Sequence, residues 1–272
     1  VLLLRFHNPG PFALIHTLLL YAAGFAGLLA LRRRFNLSPA VFVPLFLLFN
    51  FNGHIISHLA VGHLSWGGYF LLPFLILLAA RLLEGERSWR WALHCGLWLL
   101  AVFLQGSFHL FVWTLVFLAA LALFRWSAWK TILAGLAAGV LFSLFRILPA
   151  ALVSGDLAVE FKTGFTTSGH FLRGLVDLRK PVEAVLSPDI YDPLVWEFNF
   201  FVGWAGLVLI LGFGIFYWLR RPGLHPTLRP LYGPLLVLAL LSVGQVYRAV
   251  FQLGIPLFAG ERISSRFFVL PL

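Results

Sequence analysis

The chain has 272 residues, of which 61% are apolar and 11% are charged, and its mean hydropathy is +0.93. A soluble domain carries roughly 25% charged residues, so this composition excludes a soluble fold and predicts an all-α membrane protein. The formal net charge is +10, but the basic residues stand in short clusters between apolar runs, as at the ends of membrane helices, so nucleic-acid binding is not expected.

Apolar runs near the roughly 20 residues that cross a bilayer divide the chain into predicted transmembrane helices. We predict about eight, at residues 12–31, 38–51, 69–83, 91–105, 108–124, 131–149, 198–219 and 231–247, and a truncated ninth that begins at Phe267. The runs that begin at Ser38, Tyr69 and Trp91 are short for a crossing, so we expect flanking residues to extend them or the segments to be partly re-entrant. All belong to one predicted transmembrane domain over residues 1–272, interpreted as a fragment of a longer chain.

Basic residues fall mainly on one side when the predicted helices alternate across the membrane. The short turns on that side hold Arg32, Arg33, Arg34, Arg81, Arg87, Arg90, Arg125, Lys130, Arg220, Arg221 and Arg229. Most acidic residues lie on the other side. Because cytoplasmic loops are enriched in Lys and Arg, the basic side is predicted to be cytoplasmic and the acidic side to be the outer one, with Val1 outside.

The segment 152–197 differs from the rest of the chain because it collects acidic residues and carries few long apolar runs. From Phe171 to Val185, apolar residues recur at near-helical spacing, with Arg173, Arg179 and Lys180 between them. Such a pattern is typical of a helix that lies in the membrane interface. We therefore predict one long outer loop that contains an interfacial helix and caps the membrane domain.

Polar side chains in apolar helices are costly, so they are the candidate site residues, and they gather on the predicted outer side. His54 and His58 share a helical face, and His63 follows them. An i, i+4 histidine pair is half of a metal site, but no acidic residue lies between the two, so histidines that bind loop carbonyls or an anionic ligand are favoured over a divalent metal. Haem or chlorophyll ligation stays open for other histidines, namely His16, His94 and His109.

The other candidate substrate-binding residues of the outer side are mainly arginines. The set is Gln105, His109, Arg146, Arg248, Glu261, Arg262 and Arg266. Guanidinium groups bind phosphate in a bidentate manner, and these lie at predicted headgroup depth, so they are suited to hold a phosphate-linked lipid. The alternative is structural: an ion pair between Glu261 and Arg262 or Arg266, and pairing of Arg146 with another element.

Short segments that contain several of these residues follow one another along the chain. They are Asn52-Gly53-His54 through Gly62-His63-Leu64, then Tyr69 to Pro73, Gln105-Gly106-Ser107-Phe108-His109, Phe201 to Leu207, and Arg262 to Arg266. Their order resembles the C-type (GT-C) membrane glycosyltransferase superfamily and the YfhO-like bacterial membrane proteins. The resemblance implies a multi-pass glycosyltransferase of the bacterial cytoplasmic (inner) membrane that takes a sugar from a polyprenyl-phosphate donor at the outer face. It also implies an outward cavity under the long loop, arginines that hold the lipid phosphate and an acid that assists the acceptor.

The sequence departs from this family at the catalytic acid. In the family that acid lies in the first outer loop, whereas residues 51–68 contain no Asp or Glu. Asp156 and Glu160 follow the helix that bears Arg146, so they are the candidate catalytic bases.

A non-catalytic accessory or scaffold subunit of a larger membrane complex, associated with a pigment or haem, is the alternative function. An enzyme predicts an outward cavity on which acids and arginines converge. A scaffold predicts charges that neutralise one another and apolar flanks that other membrane subunits cover. A transporter is disfavoured because the sequence shows no internal repeat and no polar residues on broken helices at mid-membrane.

Overall fold

The computed structural model describes residues 9–153, 160–178, 195–216, 220, 226–255, 258 and 260–272. Their helices are α1 (Pro9–Arg34), α2 (Pro39–Asn50), α3 (Gly53–Ala60), α4 (Leu72–Leu83), α5 (Trp89–Gln105), α6 (Phe108–Phe124), α7 (Trp129–Val153), α8 (Ser168–Val176), α9 (Val195–Phe198), α10 (Gly203–Leu209), α11 (Tyr232–Leu241) and α12 (Gly244–Phe251). Segments of 3₁₀ helix lie at Leu64–Leu71, Trp126–Ala128, Pro226–Leu231 and Ser264–Val269, and a π-helix at Ile210–Phe216. No β-sheet forms within these ranges, so the predicted all-α class is confirmed for them.

Five helical stretches are long and apolar enough to cross a membrane, which agrees with the class predicted from composition. They are Gly10–Arg34, Pro39–Ala60, Leu64–Leu83, Trp126–Pro149 and Trp196–Phe216. Shorter apolar helices lie at Phe108–Phe124 and Thr227–Leu241. The stretch Pro39–Ala60 covers all but the first residue of the short predicted run 38–51, and Leu64–Leu83 contains the run 69–83, so flanking residues extend both runs as expected.

The side chain of Asn52 allows the apolar stretch to continue across the break between α2 and α3. Its Oδ1 accepts the backbone N–H of Ile55 at 3.2 Å, which caps α3. Its Nδ2 donates to the carbonyl of Phe49 at 2.9 Å and to the hydroxyl of Tyr69 at 2.8 Å. These bonds satisfy backbone groups that the break would leave unpaired in an apolar environment. The turn between α2 and α3, which precedes His54 and His58, is therefore stable.

The predicted single run 231–247 is wrong, because it forms two helices. α11 ends at Leu241, and Val243 is extended, with φ −78° and ψ 123°, before α12 begins. The backbone of this break pairs with Phe165 of the outer loop: the Phe165 N–H donates to the Ser242 carbonyl at 3.1 Å, and the Gly244 N–H donates to the Phe165 carbonyl at 2.9 Å. Hydrogen bonds to the backbone of Phe165 replace the helical ones there. The apolar content of the run alone does not predict these bonds.

The segment around Phe267, which we expected to begin a further helix crossing, forms the 3₁₀ turn Ser264–Val269 instead. Phe267 is fully buried and contacts Trp113 and Tyr247, with ring centroids 5.8 and 5.3 Å apart. A second backbone pairing links this segment to the outer loop, since the Lys162 N–H donates to the Arg262 carbonyl at 2.8 Å. The turn therefore belongs to the core.

The helices have two chemically different ends. At one end, Arg34, the last residue of α1, pairs with Glu84, which follows α4. At the other, Gln105 at the end of α5 contacts His16 near the start of α1 at 3.2 Å and donates to the Leu64 carbonyl at 2.7 Å. Helices α1 and α5 therefore run antiparallel, so the turns rich in arginine and the segments rich in histidine lie at opposite ends.

Helix α5 packs closely on α7 because both present small residues. A Cβ atom on Gly96 would lie 2.7 Å from that of Ala138, well inside van der Waals contact. Two buried tryptophans attach α5 to the preceding segment: the indole N–H of Trp91 donates to the Leu78 carbonyl at 2.8 Å, and that of Trp98 donates to the Leu71 carbonyl at 2.9 Å. This packing sets the position of the end of α5.

Helix α8 lies in the predicted outer loop, within the segment that we expected to be helical. The hydroxyl of Thr167 accepts the backbone N–H of His170 at 3.0 Å and caps it. The carbonyls of Gly174 and Leu175 accept the N–H groups of Phe200 and Val202, both at 2.9 Å. Residues 179–185 of the predicted interfacial helix lie outside the described residues, and the position of α8 relative to a bilayer stays a prediction.

Candidate functional site

Four charged or titratable side chains from three distant parts of the chain meet at the histidine-rich end. We call Glu197, Glu261, Arg266 and His109 the polar centre. Arg266 binds Glu197 with two parallel hydrogen bonds, from Nε to Oε2 at 2.6 Å and from Nη2 to Oε1 at 2.5 Å. Both glutamates are at most 3% exposed. A bidentate pair at this burial is strongly directional, so it fixes α9 against the last described segment.

Glu261 uses both carboxylate oxygens. Its Oε1 accepts from Nη1 of Arg266 at 3.2 Å and from the backbone N–H of Ile263 at 3.3 Å. Its Oε2 accepts from Nδ1 of His109 at 2.9 Å and from the indole of Trp113 at 3.1 Å. The carboxylate is thus satisfied by four donors, which is the condition under which a buried charge is tolerated.

The contacts of His109 specify its tautomer. Nδ1 faces the Glu261 carboxylate and must donate, whereas Nε2 lies 3.2 Å from Nη1 of Arg266, which can only donate. In this arrangement Nδ1 of His109 carries a proton, and Nε2 accepts from Arg266. Its side chain is 35% exposed, so His109 forms one accessible edge of the polar centre.

Local structure brings the two glutamates together. The hydroxyl of Ser265 donates to the Glu197 carbonyl at 2.7 Å, and that of Ser264 donates to the Ser242 carbonyl at 3.2 Å. Both serines are fully buried. The turn that follows Glu261 is therefore held on two sides, and Arg266 reaches both carboxylates from it.

The histidines of α3 lie beside the polar centre. His58 is completely buried, and its Nε2 lies 3.9 Å from Oε2 of Glu197, while its Nδ1 lies 3.1 Å from Nδ1 of His63. The indole of Trp66 stacks on His58 at 4.2 Å and also lies under the guanidinium of Arg266, 5.6 Å from its ring centroid. His54 is also fully buried, stacked on Phe200 at 5.0 Å. Neither ring nitrogen of His54 has a hydrogen-bond partner among the described residues.

The four predicted arginines differ in burial and contacts. Arg266 lies in the polar centre, whereas Arg146 is exposed and contacts Phe103 through its carbonyl, at 3.5 Å, and its ring. Arg248 is exposed over the ring of Phe161, 5.8 Å from the centroid, and Arg262 is exposed. Arg266 is already bound by two carboxylates, and a phosphate-binding role for the three exposed arginines stays a prediction.

The remaining predicted residues are dispersed. Gln105 bridges α1 and the Leu64 carbonyl, so its described contacts join helices. Glu160 is exposed at the start of a described segment of the outer loop, and Asp156 lies outside the described residues. Their assignment as catalytic bases stays a prediction.

Sequence reasoning missed Glu197 and the tryptophans that surround the polar centre. In the sequence, Glu197 is the last of the acidic residues of the predicted outer loop, and it directly precedes the apolar run from Phe198. One acid at the start of an apolar run is a usable signal, because a carboxylate there needs a partner from elsewhere in the fold. Trp66 and Trp113 gave no comparable signal, since tryptophans are common at helix ends in membranes.

The metal hypothesis for His54 and His58 finds no completed ligand set. Among the residues with described positions, no three His, Cys, Asp or Glu side chains are arranged to hold a metal ion. Hydrogen bonding and ion pairing, rather than coordination, account for the described contacts of His58, His63 and His109.

The charges of the polar centre shift the ionisation of its members. Burial raises the pKa of the Glu261 carboxyl, but His109, Arg266 and the Ile263 N–H outweigh burial, and the net pKa lies below its ordinary value. Burial likewise lowers the pKa of Arg266, and the two glutamates reverse this, so its net pKa lies above the ordinary value. Both groups are therefore charged at neutral pH.

Acidification is expected to destabilise the protein through Glu261. Because its pKa is lower in the folded than in the unfolded protein, its contribution to stability is complete above the ordinary value of 4.5 and is lost as pH falls through the folded pKa. Thermal unfolding midpoints measured from about pH 7 to about pH 3 test this. The variant Glu261→Gln should be less stable at neutral pH and lose part of the acid dependence; an acid dependence identical to that of wild type contradicts the assignment.

A cavity of about 390 Å³ opens beside the pairing of the outer loop with the α11–α12 break. Most of its lining is apolar; the lining residues are Phe165, Thr166, Thr167, Ser168, Phe171, Ala239, Leu240, Ser242, Val243 and Phe268. Lys162, exposed at the surface, lies three residues before Phe165, and its backbone is bonded to that of Arg262, which is also exposed. Two exposed cations are thus close in the chain or by hydrogen bonding to a segment that lines the cavity.

Compared with models of protein families, with curated proteins and with solved structures, the chain has no significant match.

Proposed function

We propose that this chain is a multi-pass protein of the bacterial inner membrane, with about eight crossings, that binds a polyprenyl-phosphate-linked sugar at the outer face and transfers the sugar to an acceptor. The observation that carries the proposal is the apolar cavity near two exposed cations, Lys162 and Arg262. Such a lipid needs an apolar slot for its tail and a cationic site for its phosphate at the depth of the headgroups. The resemblance to GT-C enzymes suggests the same class of donor.

The two chemically different ends of the helices support this orientation. The end at which Arg34 meets Glu84 carries the basic turns, as expected of a cytoplasmic face. The polar centre and the cavity belong to segments that continue from the opposite ends of α5 and α11. A site at that end would face the outer leaflet, where lipid-linked sugars are used by enzymes of the resembled type.

The cavity suits an isoprenoid tail. Its volume of about 390 Å³ lies in the range of roughly 300–1,000 Å³ typical of ligand sites. Aromatic rings of Phe165, Phe171 and Phe268 line it, whereas Thr166 and Ser242 bring hydroxyls to it. Burial of apolar tail atoms there gains roughly 25 cal/mol per Å² removed from water, and the hydroxyls can bond the first oxygens of the headgroup.

The phosphate is assigned to Lys162 and Arg262, with Arg248 as a further cation. Lys162 and Arg262 are adjacent because their backbones are hydrogen-bonded at 2.8 Å. Three residues of extended chain separate Lys162 from the cavity lining at Phe165, a distance of about 10 Å. The guanidinium of Arg266 is excluded from this role, since two buried carboxylates already neutralise it. The set of binding cations therefore differs from the one expected from sequence.

Binding of polyprenyl phosphate to the protein in nanodiscs of neutral lipid tests the proposal. We expect Lys162→Ala/Arg262→Ala to weaken the affinity by about tenfold, because two charge-assisted contacts are lost at an exposed site. The matched control is Arg33→Ala/Arg90→Ala, which removes the same charge from exposed positions at the opposite end. If the two double variants bound the lipid with equal affinity, the proposed binding site would be refuted. If the wild-type protein did not bind the lipid, the proposed function would be refuted.

One observation favours the accessory-subunit alternative. Arg266 and the two glutamates neutralise one another within the fold, as expected of a scaffold. A wild-type protein that binds no polyprenyl phosphate but is stabilised against heating by a defined membrane subunit would support this alternative over the enzyme.

A further inference from the structure

A row of three side chains leads from the surface into the polar centre. His63 is half-buried, His58 is completely buried, and Glu197 is 2% exposed. Nδ1 of His63 lies 3.1 Å from Nδ1 of His58, and Nε2 of His58 lies 3.9 Å from Oε2 of Glu197. The row therefore joins an accessible imidazole to a buried carboxylate through a second imidazole.

The contacts favour one arrangement of protons. Nε2 of His58 makes no hydrogen bond among the described residues, but it lies 3.9 Å from the Glu197 carboxylate in a buried site, where a lone pair on Nε2 would be repelled. With the proton on Nε2 of His58, the carboxylate attracts the N–H instead, and Nδ1 of His58 accepts a hydrogen bond from Nδ1–H of His63. Neutral His63 is then left with an unprotonated Nε2.

We propose that His63 is the general base of this site, that its Nε2 takes a proton from an acceptor hydroxyl, and that His58 and Glu197 position it. The identity of the acceptor reaction rests on the proposed function. The assignment of His63 as the base rests on the row of contacts. In such an arrangement a buried carboxylate orients an imidazole, here through a second imidazole. Three residues that the sequence analysis did not connect thereby receive distinct roles.

The step balances in atoms and charge. The hydroxyl oxygen forms a bond to the anomeric carbon of the donor sugar while the bond from that carbon to the lipid phosphate oxygen breaks, and its electron pair leaves with the phosphate. The hydroxyl proton moves to Nε2 of His63, and the resulting His63 imidazolium keeps its Nδ1–H bonded to Nδ1 of His58.

The surroundings keep the added proton on His63 rather than on His58. His58 is completely buried, and Arg266 and His54, which contacts the same ring at 4.5 Å, oppose a cation there. His63 is only half-buried, so water can solvate its imidazolium. Two carboxylates and one guanidinium leave the polar centre with one excess negative charge, which attracts that cation.

Carbethoxylation by diethyl pyrocarbonate tests the assignment without any substrate, because the reagent acylates unprotonated imidazole nitrogen. Mass spectrometry of the full-length chain in nanodiscs follows each histidine. In His58→Leu, which removes the acceptor for Nδ1–H, we expect the reaction at His63 to slow by about tenfold, as for other oriented imidazoles that lose their partner. In His58→Asn, whose amide oxygen can take the place of Nδ1 as acceptor, most of the rate should return.

Exposed His94 at the opposite end is the internal control, and its rate should be the same in all variants. A merely structural role of His58 would not distinguish Asn from Leu in this way. Equal rates at His63 in wild type and His58→Leu would overturn the proposal.

A second measurement reads the tautomers in the wild-type protein, and a variant serves only to identify one signal. Nitrogen chemical shifts of wild-type histidines, with the His63 signal identified by its loss in His63→Gln, report the tautomers directly. Protons on Nδ1 of His63 and Nε2 of His58 are expected, and a proton on Nε2 of neutral His63 would overturn the assignment. If His63 reacted as expected in a protein that binds no polyprenyl phosphate, only the proposed donor would be refuted. If the protein bound the lipid but His63 did not react as expected, only the assignment of the base would be refuted.

Discussion

Replacement of Arg266 by glutamine is expected to lower the free energy of unfolding by about 3–5 kcal/mol, the typical loss when one partner of a buried ion pair is removed. Arg266 binds two carboxylates that are at most 3% exposed, and it donates hydrogen bonds to both and to His109. Without it, two buried negative charges face each other and must be protonated, hydrated or moved outward. Thermal or denaturant unfolding in one fixed detergent measures the loss.

Arg262→Gln is the matched control, because the same charge is lost four residues away from an exposed position, and its effect should stay within about 0.5 kcal/mol. The double variant Arg266→Gln/Glu197→Gln should regain part of the stability, since two amides can bond each other without a charge. A loss in Arg266→Gln no larger than that in the control would contradict the interpretation of the polar centre as a structural ion network.

Gly53→Ala is expected to destabilise the protein by about 2–4 kcal/mol, through overpacking and a weakened hydrogen bond. The N–H of Gly53 donates to the carbonyl of Phe201 at 2.7 Å, which brings the two backbones together. A Cβ on Gly53 would lie 2.5 Å from the backbone nitrogen of Phe201 and in conflict with the side chain of Asn199. Since backbone cannot rotate away as a long side chain can, the start of α3 must shift.

The functional consequence of this variant is displacement of the next residues of α3, His54 and His58. We expect slower carbethoxylation of His63, because its partner moves, together with a lower unfolding midpoint. Gly212→Ala is the control, as a Cβ there meets no atom within 4 Å. A stable Gly53→Ala variant with wild-type reactivity at His63 would show that the junction between α3 and Phe201 is not tight.

Several members of the site could be predicted from residue type and local position. His54 and His58 lie one helical turn apart, so a shared face follows from helix geometry, and α3 has that geometry. The structural alternative, an ion pair between Glu261 and Arg266, is also observed. A carboxylate and a guanidinium five residues apart can meet across one turn of the chain. In both cases the spacing along the sequence is enough to predict the contact.

Other members could not be predicted, because their partners are far away in the chain. Glu197 meets Arg266 across 69 residues, and His109 meets Arg266 across 157. The sequence predicts only that the four arginines lie at a similar depth in the bilayer. Whether side chains at the same depth contact one another depends on which helices are adjacent, and hydropathy does not predict helix adjacency.

The break at Val243 illustrates the same limit for the fold. Residues 231–247 satisfy the apolar criterion for one helix, yet the Phe165 backbone takes over the hydrogen bonds of Ser242 and Gly244. An unpaired backbone group is costly in an apolar environment, so a helix can break there only when another segment supplies partners. That segment lies in the outer loop, nearly 80 residues earlier.

By itself, the sequence determined that this is an α-helical protein of the membrane class and that its basic turns separate from its histidine-rich segments. Both follow from composition and order, because sparse charge cannot cover a surface in water and apolar runs must satisfy their backbones internally. Tertiary structure alone decided which of the costly charges neutralise one another and which stay exposed. That choice depends on distances of a few ångströms between segments remote in the chain, where ion pairing compensates the desolvation of buried charge.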